Sequence, residues 1–342
     1  MPEATFTAMD IFGGCGGLTT GLEAAGFEVL AAVEIDDNAR GVYDLNHPGV
    51  TLFEDVRLLT SDTILTTLGI EPGQLSLMAA CPPCQGFSRM RTKNRVTPAV
   101  DERNDLVLDV ARLIEGVLPT TVMIENVPAL RNDPRFDETV ERLEYAGYHW
   151  SCEIVDAAHY DVPQRRKRMI LMASRLGPVE IPKGRSKKRT VRETIEALPV
   201  PDKSHKPIHR LVGKHNPTVK SRIARVPHDG GSRAAWGDDE QLDCHKRMSG
   251  FKDVYGRMKW DAVAPTITRY CINPSKGRFL HPTQDREITL FEASLLQSFP
   301  RSYKFPISLG RGAIASMIGE ALPPRMAERH AAYLREHLEI NN

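Results

Sequence analysis

Through the first half of the chain, short apolar runs alternate with helical patterns, and a glycine-rich turn directly follows the first run. Thr5 to Ile11 predicts a strand, Gly13 to Gly17 a tight turn, and Leu18 to Ala25 a helix stopped by Gly26. Val29 to Ile35 predicts the second strand, after which Asp36 caps a helix reaching Asn46 and ended by His47-Pro48. Leu75 to Ala80, Thr121 to Glu125, His149 to Val155 and Arg168 to Ala173 continue the strands, with helical patterns over Asn104 to Val117 and Asp137 to Ala146. Such alternation predicts an α/β fold, a doubly wound and mostly parallel sheet covered on both faces, with ligands at the carboxyl ends of its strands.

After Pro182 the texture changes to Pro, Gly, His and basic residues, with only strand-like pieces such as Pro265 to Tyr270. Helical patterning returns at Thr289 to Gln297, Gly312 to Ala321 and Arg325 to Leu338. The chain therefore divides into a first part at 1–190, a smaller irregular insert at 191–285, and a return to the first part at 286–342. Lys183 to Arg233 holds 14 Lys/Arg against 4 Asp/Glu, a local +10 in a chain of net charge +1, which leaves −9 elsewhere. That segment is basic enough to meet a polyanion.

The 41% hydrophobic and 26% charged composition excludes wholesale disorder, collagen and coiled coil. Apolar runs such as Leu75 to Ala80 fall far short of the ~18 residues that cross a bilayer, so no membrane partner is expected. Met1 to Asp10 has no cationic region followed by an apolar stretch, so the expected compartment is the reducing cytoplasm. Six cysteines in 342 residues do not make a disulfide scaffold and leave thiols available for chemistry.

Four clusters carry that chemistry. In Phe12-Gly13-Gly14-Cys15-Gly16-Gly17 the glycines allow close approach of a ligand to a helix N-terminus. A dinucleotide fingerprint would need a third glycine where Thr19 stands, which weakens a pyrophosphate reading. Glu34, ending the second strand, suits ribose hydroxyls, and Asp55 suits a further contact to a nucleoside cofactor. Cys81-Pro82-Pro83-Cys84 admits three readings: half a zinc site, a dithiol pair, or one nucleophilic thiol on a rigid approach. The other cysteines, 15, 152, 244 and 271, form no second close pair, and no His follows at ligand spacing. Glu125, in Ile124-Glu125-Asn126-Val127-Pro128, ends another strand and can converge with Cys84 across 41 positions. In Gln164-Arg165-Arg166-Lys167-Arg168, alternation aims Arg166 and Arg168 to one side, suited to carbonyl or phosphate oxygens.

In this order and spacing the pieces resemble the C5-cytosine DNA methyltransferase family over nearly the whole chain. Phe12 to Gly17 resembles its S-adenosylmethionine loop, Val33-Glu34-Ile35-Asp36 its ribose-binding strand end, and Asp55 the acid that contacts the adenine amine. Pro83-Cys84-Gln85 is similar to the nucleophile motif, Glu125-Asn126-Val127 to the acid motif, and Val162-Pro163-Gln164 with Arg166 and Arg168 to the arginine motif. Arg286-Glu287-Ile288-Thr289 and Leu296 to Pro300 resemble the segment after target recognition, and Gly319-Glu320-Ala321-Leu322-Pro323-Pro324 the closing motif. Glu320 departs from the usual Asn, and its carboxylate is read as attracting the positive charge of the cofactor.

The resemblance implies a Rossmann-like methyltransferase sheet with the insert as target-recognition domain. It implies Cys84 as nucleophile, with Glu125, Arg166 and Arg168 as catalytic partners and no metal. Phe12, Gly13, Gly14, Cys15, Gly16, Gly17, Glu34, Ile35, Asp55, Val56, Pro83, Glu320 and Ala321 are expected around S-adenosylmethionine. Gln85, Ser88, Arg89, Gln164 and Arg165 are expected on double-stranded DNA, whose target base must leave the stack. A monomer of prokaryotic or phage origin, working beside a separate cognate restriction endonuclease, completes the expectation. An RNA cytosine methyltransferase and a catalytically silent DNA binder are the alternatives.

Overall fold

The computed structural model describes residues 5–83, 105–236 and 253–341. The chain forms two compact units. The first comprises Met1–Asp156, Lys167–Gly184 and Leu322–Asn342, and the second Ala157–Arg166 and Arg185–Ala321. Residues 286–321, which the sequence groups with the first part, thus fall in the second unit. Among the described residues no helix is long and apolar enough to cross a membrane.

The first unit runs β1 (Thr7–Ile11), α1 (Gly17–Ala24), β2 (Glu28–Val33), α2 (Asp37–Asn46), β3 (Thr51–Phe53), α3 (Ser61–Leu68) and β4 (Leu77–Ala80). It continues with α4 (Leu106–Val117), β5 (Thr121–Asn126), α5 (Pro134–Tyr145), β6 (His149–Asp156) and β7 (Lys167–Ser174). The seven strands form one sheet in the order β3-β2-β1-β4-β5-β7-β6. All pairs are parallel except those of β7, which is antiparallel to both neighbours. Every residue of β4 and β5 is buried, as strands covered on both faces require. Met78, Ile124 and Leu171 join Leu113, Ile114 and Val140 from the helices in one core. The Asp36 side chain caps α2 by accepting from the Ala39 amide at 2.8 Å, as the sequence predicts.

In the second unit lie α6 (Val191–Ile195), α7 (Pro207–Arg210), α8 (Pro217–Ala224), α9 (Leu290–Leu296) and α10 (Gly310–Glu320). α11 (Pro324–Asn341) belongs to the first unit and packs on α1. The expected strand at Pro265 to Tyr270 does not form. Backbone carbonyls that no ladder satisfies must find other donors, and in this unit arginines supply them. The fully buried Arg257 donates to the carbonyls of Val226 at 2.8 Å, Ile223 at 3.0 Å and His281 at 3.1 Å. Arg278 does the same for Gly230 and Gly231.

Two buried histidines make both units sensitive to acid. Burial pushes His281 of the second unit and His330 of α11 down to about 4 from an ordinary 6.5. Between those values the unfolded chain takes up protons that the folded chain refuses, so stability complete above pH 6.5 drains away as pH falls toward 4. A shift of this size amounts to at most about 3 kcal/mol per histidine. The urea midpoint is expected to fall steadily between pH 7 and pH 5, and a flat midpoint over that range would contradict the assignment.

Candidate active site

Sheet register lines up the strand ends. Val33 pairs with Ile11, Ile11 with Ala80, and Ala80 with Ile124. The residues that follow, Glu34, Phe12, Cys81 and Glu125, therefore stand in one row along the carboxyl edge. Strand order reverses between β1 and β4, where open α/β sheets leave a crevice for a ligand.

The turn after β1 passes through left-handed conformations at Phe12 (φ 69°), Gly14 (φ 55°) and Gly16 (φ 91°). A side chain at Gly13 would lie 2.9 Å from the Tyr43 ring, whereas one at Gly14 would meet nothing within 4 Å. The turn is thus packed behind Gly13 and open in front of Gly14. Glu34 is fixed by two backbone donors, the Gly14 amide at 2.8 Å on Oε2 and the Asp36 amide at 2.8 Å on Oε1. Burial raises its carboxyl above the usual range, against those hydrogen bonds. Ile35 beside it is 62% exposed. Asp55 accepts from the Arg57 main chain at 3.0 Å and from its guanidinium at 2.7 Å, which hold the carboxyl below its usual range. Cys15 and Val56 are buried, so at the edge of any cleft they offer mainly backbone.

Behind the turn is a group the sequence reading missed. Asp10 of β1 is fully buried and accepts from Thr19 Oγ1 at 2.7 Å, and Thr19 in turn lies 2.6 Å from the Tyr43 hydroxyl. Burial pushes the Asp10 carboxyl up to about 7. The chain Asp10-Thr19-Tyr43 ties β1, α1 and α2 together around the glycine turn. Its only signal in the sequence was an acid inside an apolar run.

At the other end of the row, Arg168 Nε meets Glu125 Oε1 at 2.6 Å, with both side chains largely buried. The antiparallel direction of β7 explains the pair, because it sets the start of β7 against the end of β5, with Asn126 opposite Met169. Asn126 Nδ2 donates to the Pro82 carbonyl at 3.0 Å and fastens the chain after β4 to the same place. Burial first, and then the neighbouring carboxylates of Glu125 and Asp10, raise the Cys81 thiol well above the usual thiol range. Pro83 is half-buried.

Arg166 is buried just before β7, its carbonyl accepting from the Ala157 amide at 3.0 Å, and its guanidinium donates within the second unit to the carbonyls of Ile267 and Gly319, each at 3.0 Å, and of Glu320 at 3.4 Å. Gln164 is likewise fully buried, bonding Leu296 O at 3.1 Å, the Gln297 side chain and the Ile267 amide at 2.8 Å. Because its amide is satisfied at both ends inside the fold, the expected DNA contact is replaced by a structural one. Arg165 between them is exposed.

The matching family model is that of the C-5 cytosine-specific DNA methylases, over residues 6–336. The chain belongs to that family. Relatives of this methylase include the Type II methylase M.HgiDII of Herpetosiphon aurantiacus, 34% identical over 97% of this chain and 95% of the relative. The Type II methyltransferase M1.BsuMI of Bacillus subtilis is 30% identical over 93% of this chain and 78% of its own. Among solved structures, one described as a DNA modification methyltransferase encoded within a prophage (E. coli) superposes with a TM-score of 0.75. It covers 98% of this chain and 100% of its own at 22% identity, a likeness of fold. Like them, the methylase is built on a Rossmann-like mixed sheet, and it is an enzyme of the DNA (cytosine-5)-methyltransferase kind.

Of the residues expected at the methylase site, the structure gathers Phe12, Gly13, Gly14, Gly16, Gly17, Glu34, Pro83, Glu125 and Arg168 along one edge of the sheet. Cys84, Gln85, Ser88 and Arg89 lie outside the described residues. Glu320 and Ala321 fall in the second unit. The Glu320 carboxylate is already engaged there, by Arg269 Nη2 at 2.6 Å and by Ser316 Oγ at 3.2 Å. It is therefore a poor match for the expected attraction to a cofactor's charge.

Proposed function

We propose that the protein methylates carbon 5 of a cytosine within a specific double-stranded DNA sequence, through a transient bond between Cys84 and carbon 6 of the ring. The observation that carries this reading is the Glu125–Arg168 pair, set in the same row as Cys81, three residues before Cys84. A carboxyl and a guanidinium side by side match the nitrogen 3 and carbonyl 2 edge of a cytosine withdrawn from the stack, a withdrawal that costs a few kcal/mol.

The residues present also fit S-adenosylmethionine, whose sulfonium, when bound, makes its methyl group electrophilic. The open side of Gly14 leaves its backbone approachable by a ligand, and the remaining lone pairs of the backbone-held Glu34 carboxylate suit ribose hydroxyls. Asp55 would accept from an adenine amine while Phe12 and Ile35 supply apolar cover.

Carbon 5 of cytosine is a weak nucleophile. Addition of the Cys84 thiolate to carbon 6 pushes an electron pair toward carbon 5, while Glu125, which takes up a proton from water when the base draws Arg168 from it, passes that proton to nitrogen 3 and bonds the exocyclic amine. Arg168 exchanges its carboxylate partner for the carbonyl oxygen at position 2 and stabilises the charge that develops on the ring. After methylation the carbon 5 proton leaves to water, its electron pair restores the 5,6 double bond, the carbon–sulfur bond breaks to free the thiolate, and nitrogen 3 returns its proton to Glu125.

Double-stranded DNA would lie against the exposed cations of the basic segment, Arg185 to Arg189 and Lys214 to Arg225, and against Arg165, Gln85, Ser88 and Arg89. The second unit would read the sequence. The Type II relatives extend the reading to modification that shields a site from a separate nuclease. Methyl-tritiated S-adenosylmethionine is expected to label unmethylated duplex DNA, with bisulfite sequencing placing 5-methylcytosine at one recurrent sequence. Label confined to transfer RNA, or tight DNA binding without label, would overturn the proposal.

A further inference from the structure

Position 320 carries a carboxylate at a place where helix chemistry does not favour one. Glu320 is the last residue of α10, and the C-terminal end of a helix dipole disfavours negative charge. What holds the carboxylate is Arg269, at 2.6 Å, with Ser316 on its second oxygen.

The backbones that carry the two charges are locked together. A side chain at Gly319 would come within 2.2 Å of the Thr268 carbonyl carbon and 2.3 Å of the Arg269 nitrogen. Arg166 bonds the carbonyls of Ile267 and Gly319 at once. The pair therefore does not form and break through backbone movement; only the side chains are free to exchange.

Both side chains are also within reach of a solute, Arg269 being 42% and Glu320 53% exposed. Arg269, Tyr270 and Ser316 line a pocket of about 630 Å³ in the second unit. The Tyr270 ring there has the Arg269 guanidinium 6.0 Å and the Lys276 ammonium 5.8 Å from its centre. It is a hollow with cations around an aromatic face, in the unit proposed above to read DNA.

We infer that Glu320 competes with a DNA phosphate for Arg269, holding the guanidinium until duplex DNA takes it. The inference rests on the DNA-methylating function proposed above. An exposed carboxylate–guanidinium pair contributes little in water. A phosphate oxygen pair matches the planar guanidinium at least as well as a carboxylate does. Exchange is then easy, but Arg269 adds less to DNA affinity than a free arginine would. Glu320 is thus a positioning residue that weakens indiscriminate binding, and it is not a cofactor ligand.

The test is a double-mutant cycle in DNA affinity, read by fluorescence anisotropy on the full chain at several salt concentrations, with Glu320→Gln, Arg269→Ala and both together. With Arg269 present, Glu320→Gln is expected to tighten DNA binding by about fivefold, the size of coupling found between directly paired charges. The slope of log affinity against log salt should stay nearly the same in Glu320→Gln, because Arg269 meets the phosphate in both complexes, and should flatten by up to about 0.9 in Arg269→Ala, which loses that contact. In the Arg269→Ala background the same substitution should have a much smaller effect. Affinity for S-adenosylhomocysteine, measured by calorimetry without DNA, should be the same for Glu320→Gln and the wild type.

Equal effects of Glu320→Gln in both backgrounds would reduce the effect to general charge and overturn the exchange. Weaker S-adenosylhomocysteine binding in Glu320→Gln and restored binding in Glu320→Asp would overturn it in favour of a cofactor contact. Either result would leave the methylation of DNA standing. A wild-type enzyme that binds duplex DNA with no salt dependence and does not label it would sink the underlying reading as well.

Discussion

Cys84→Ser is expected to lower the rate of methyl transfer by on the order of 10⁴-fold or more, the scale seen when a nucleophile is removed from an enzyme. DNA affinity should stay largely intact, because binding rests on cations spread over the chain and not on one sulfur. A serine hydroxyl is not ionised near neutral pH and adds poorly to an unactivated ring carbon, whereas a thiolate is a strong nucleophile. Cys81 makes the comparison sharp. Its thiol is held protonated by burial and by Glu125, so it is unsuited to attack, and Cys81→Ser should be mild. DNA carrying 5-fluorocytosine, whose fluorine cannot leave as a proton does, should trap an adduct that peptide mass spectrometry places on Cys84. An adduct on Cys81, or comparable loss of activity in both variants, would favour the paired-cysteine chemistry.

Most of the sheet was legible because β1, β2, β4 and β5 are short, mostly apolar runs, as strands covered on both faces are. The three residues of β3 make too short a run to stand out. Direction was not legible from apolar pattern at all, yet the reversal of β7 is what brings Arg168 to Glu125. A usable signal lay in chain length. Only residues 157–166 separate β6 from β7, fewer than the dozen or more that a parallel crossover needs.

The false strand at Pro265 to Tyr270 has a related cause. Thr266, Ile267 and Thr268 have strand-like side chains, but the Ile267 amide is taken by Gln164 and its carbonyl by Arg166, so side chains replace the ladder. Gln164, one of these two, is the residue expected on DNA, and its amide is used up inside the fold. Polar groups buried to satisfy an irregular backbone are indistinguishable in sequence from polar groups exposed for a ligand. Asp10 is the opposite case, an acid inside a strand that was overlooked because its partners Thr19 and Tyr43 come from two helices.

The second large effect belongs to Glu125. Glu125→Gln keeps the size of the side chain and can still offer Arg168 a carbonyl oxygen in place of the 2.6 Å ion pair, so the sheet edge should fold as before. An amide can hydrogen-bond ring nitrogen 3 but has no proton to give it. The turnover number is expected to fall by about 10²–10⁴-fold, the usual contribution of a positioned acid, with little change in the KM for DNA. Arg168→Ala removes the partner instead and leaves Glu125 as a poorly compensated, nearly buried carboxylate, so it should cost stability as well as rate. The contrast separates the two roles: for Glu125→Gln the loss should appear in kcat with an unchanged urea midpoint, whereas for Arg168→Ala both should fall. If Glu125→Gln instead turned over at the wild-type rate on duplex DNA, proton transfer at nitrogen 3 would not be the work of this residue, and the ion pair at the end of β5 would be a structural clasp only.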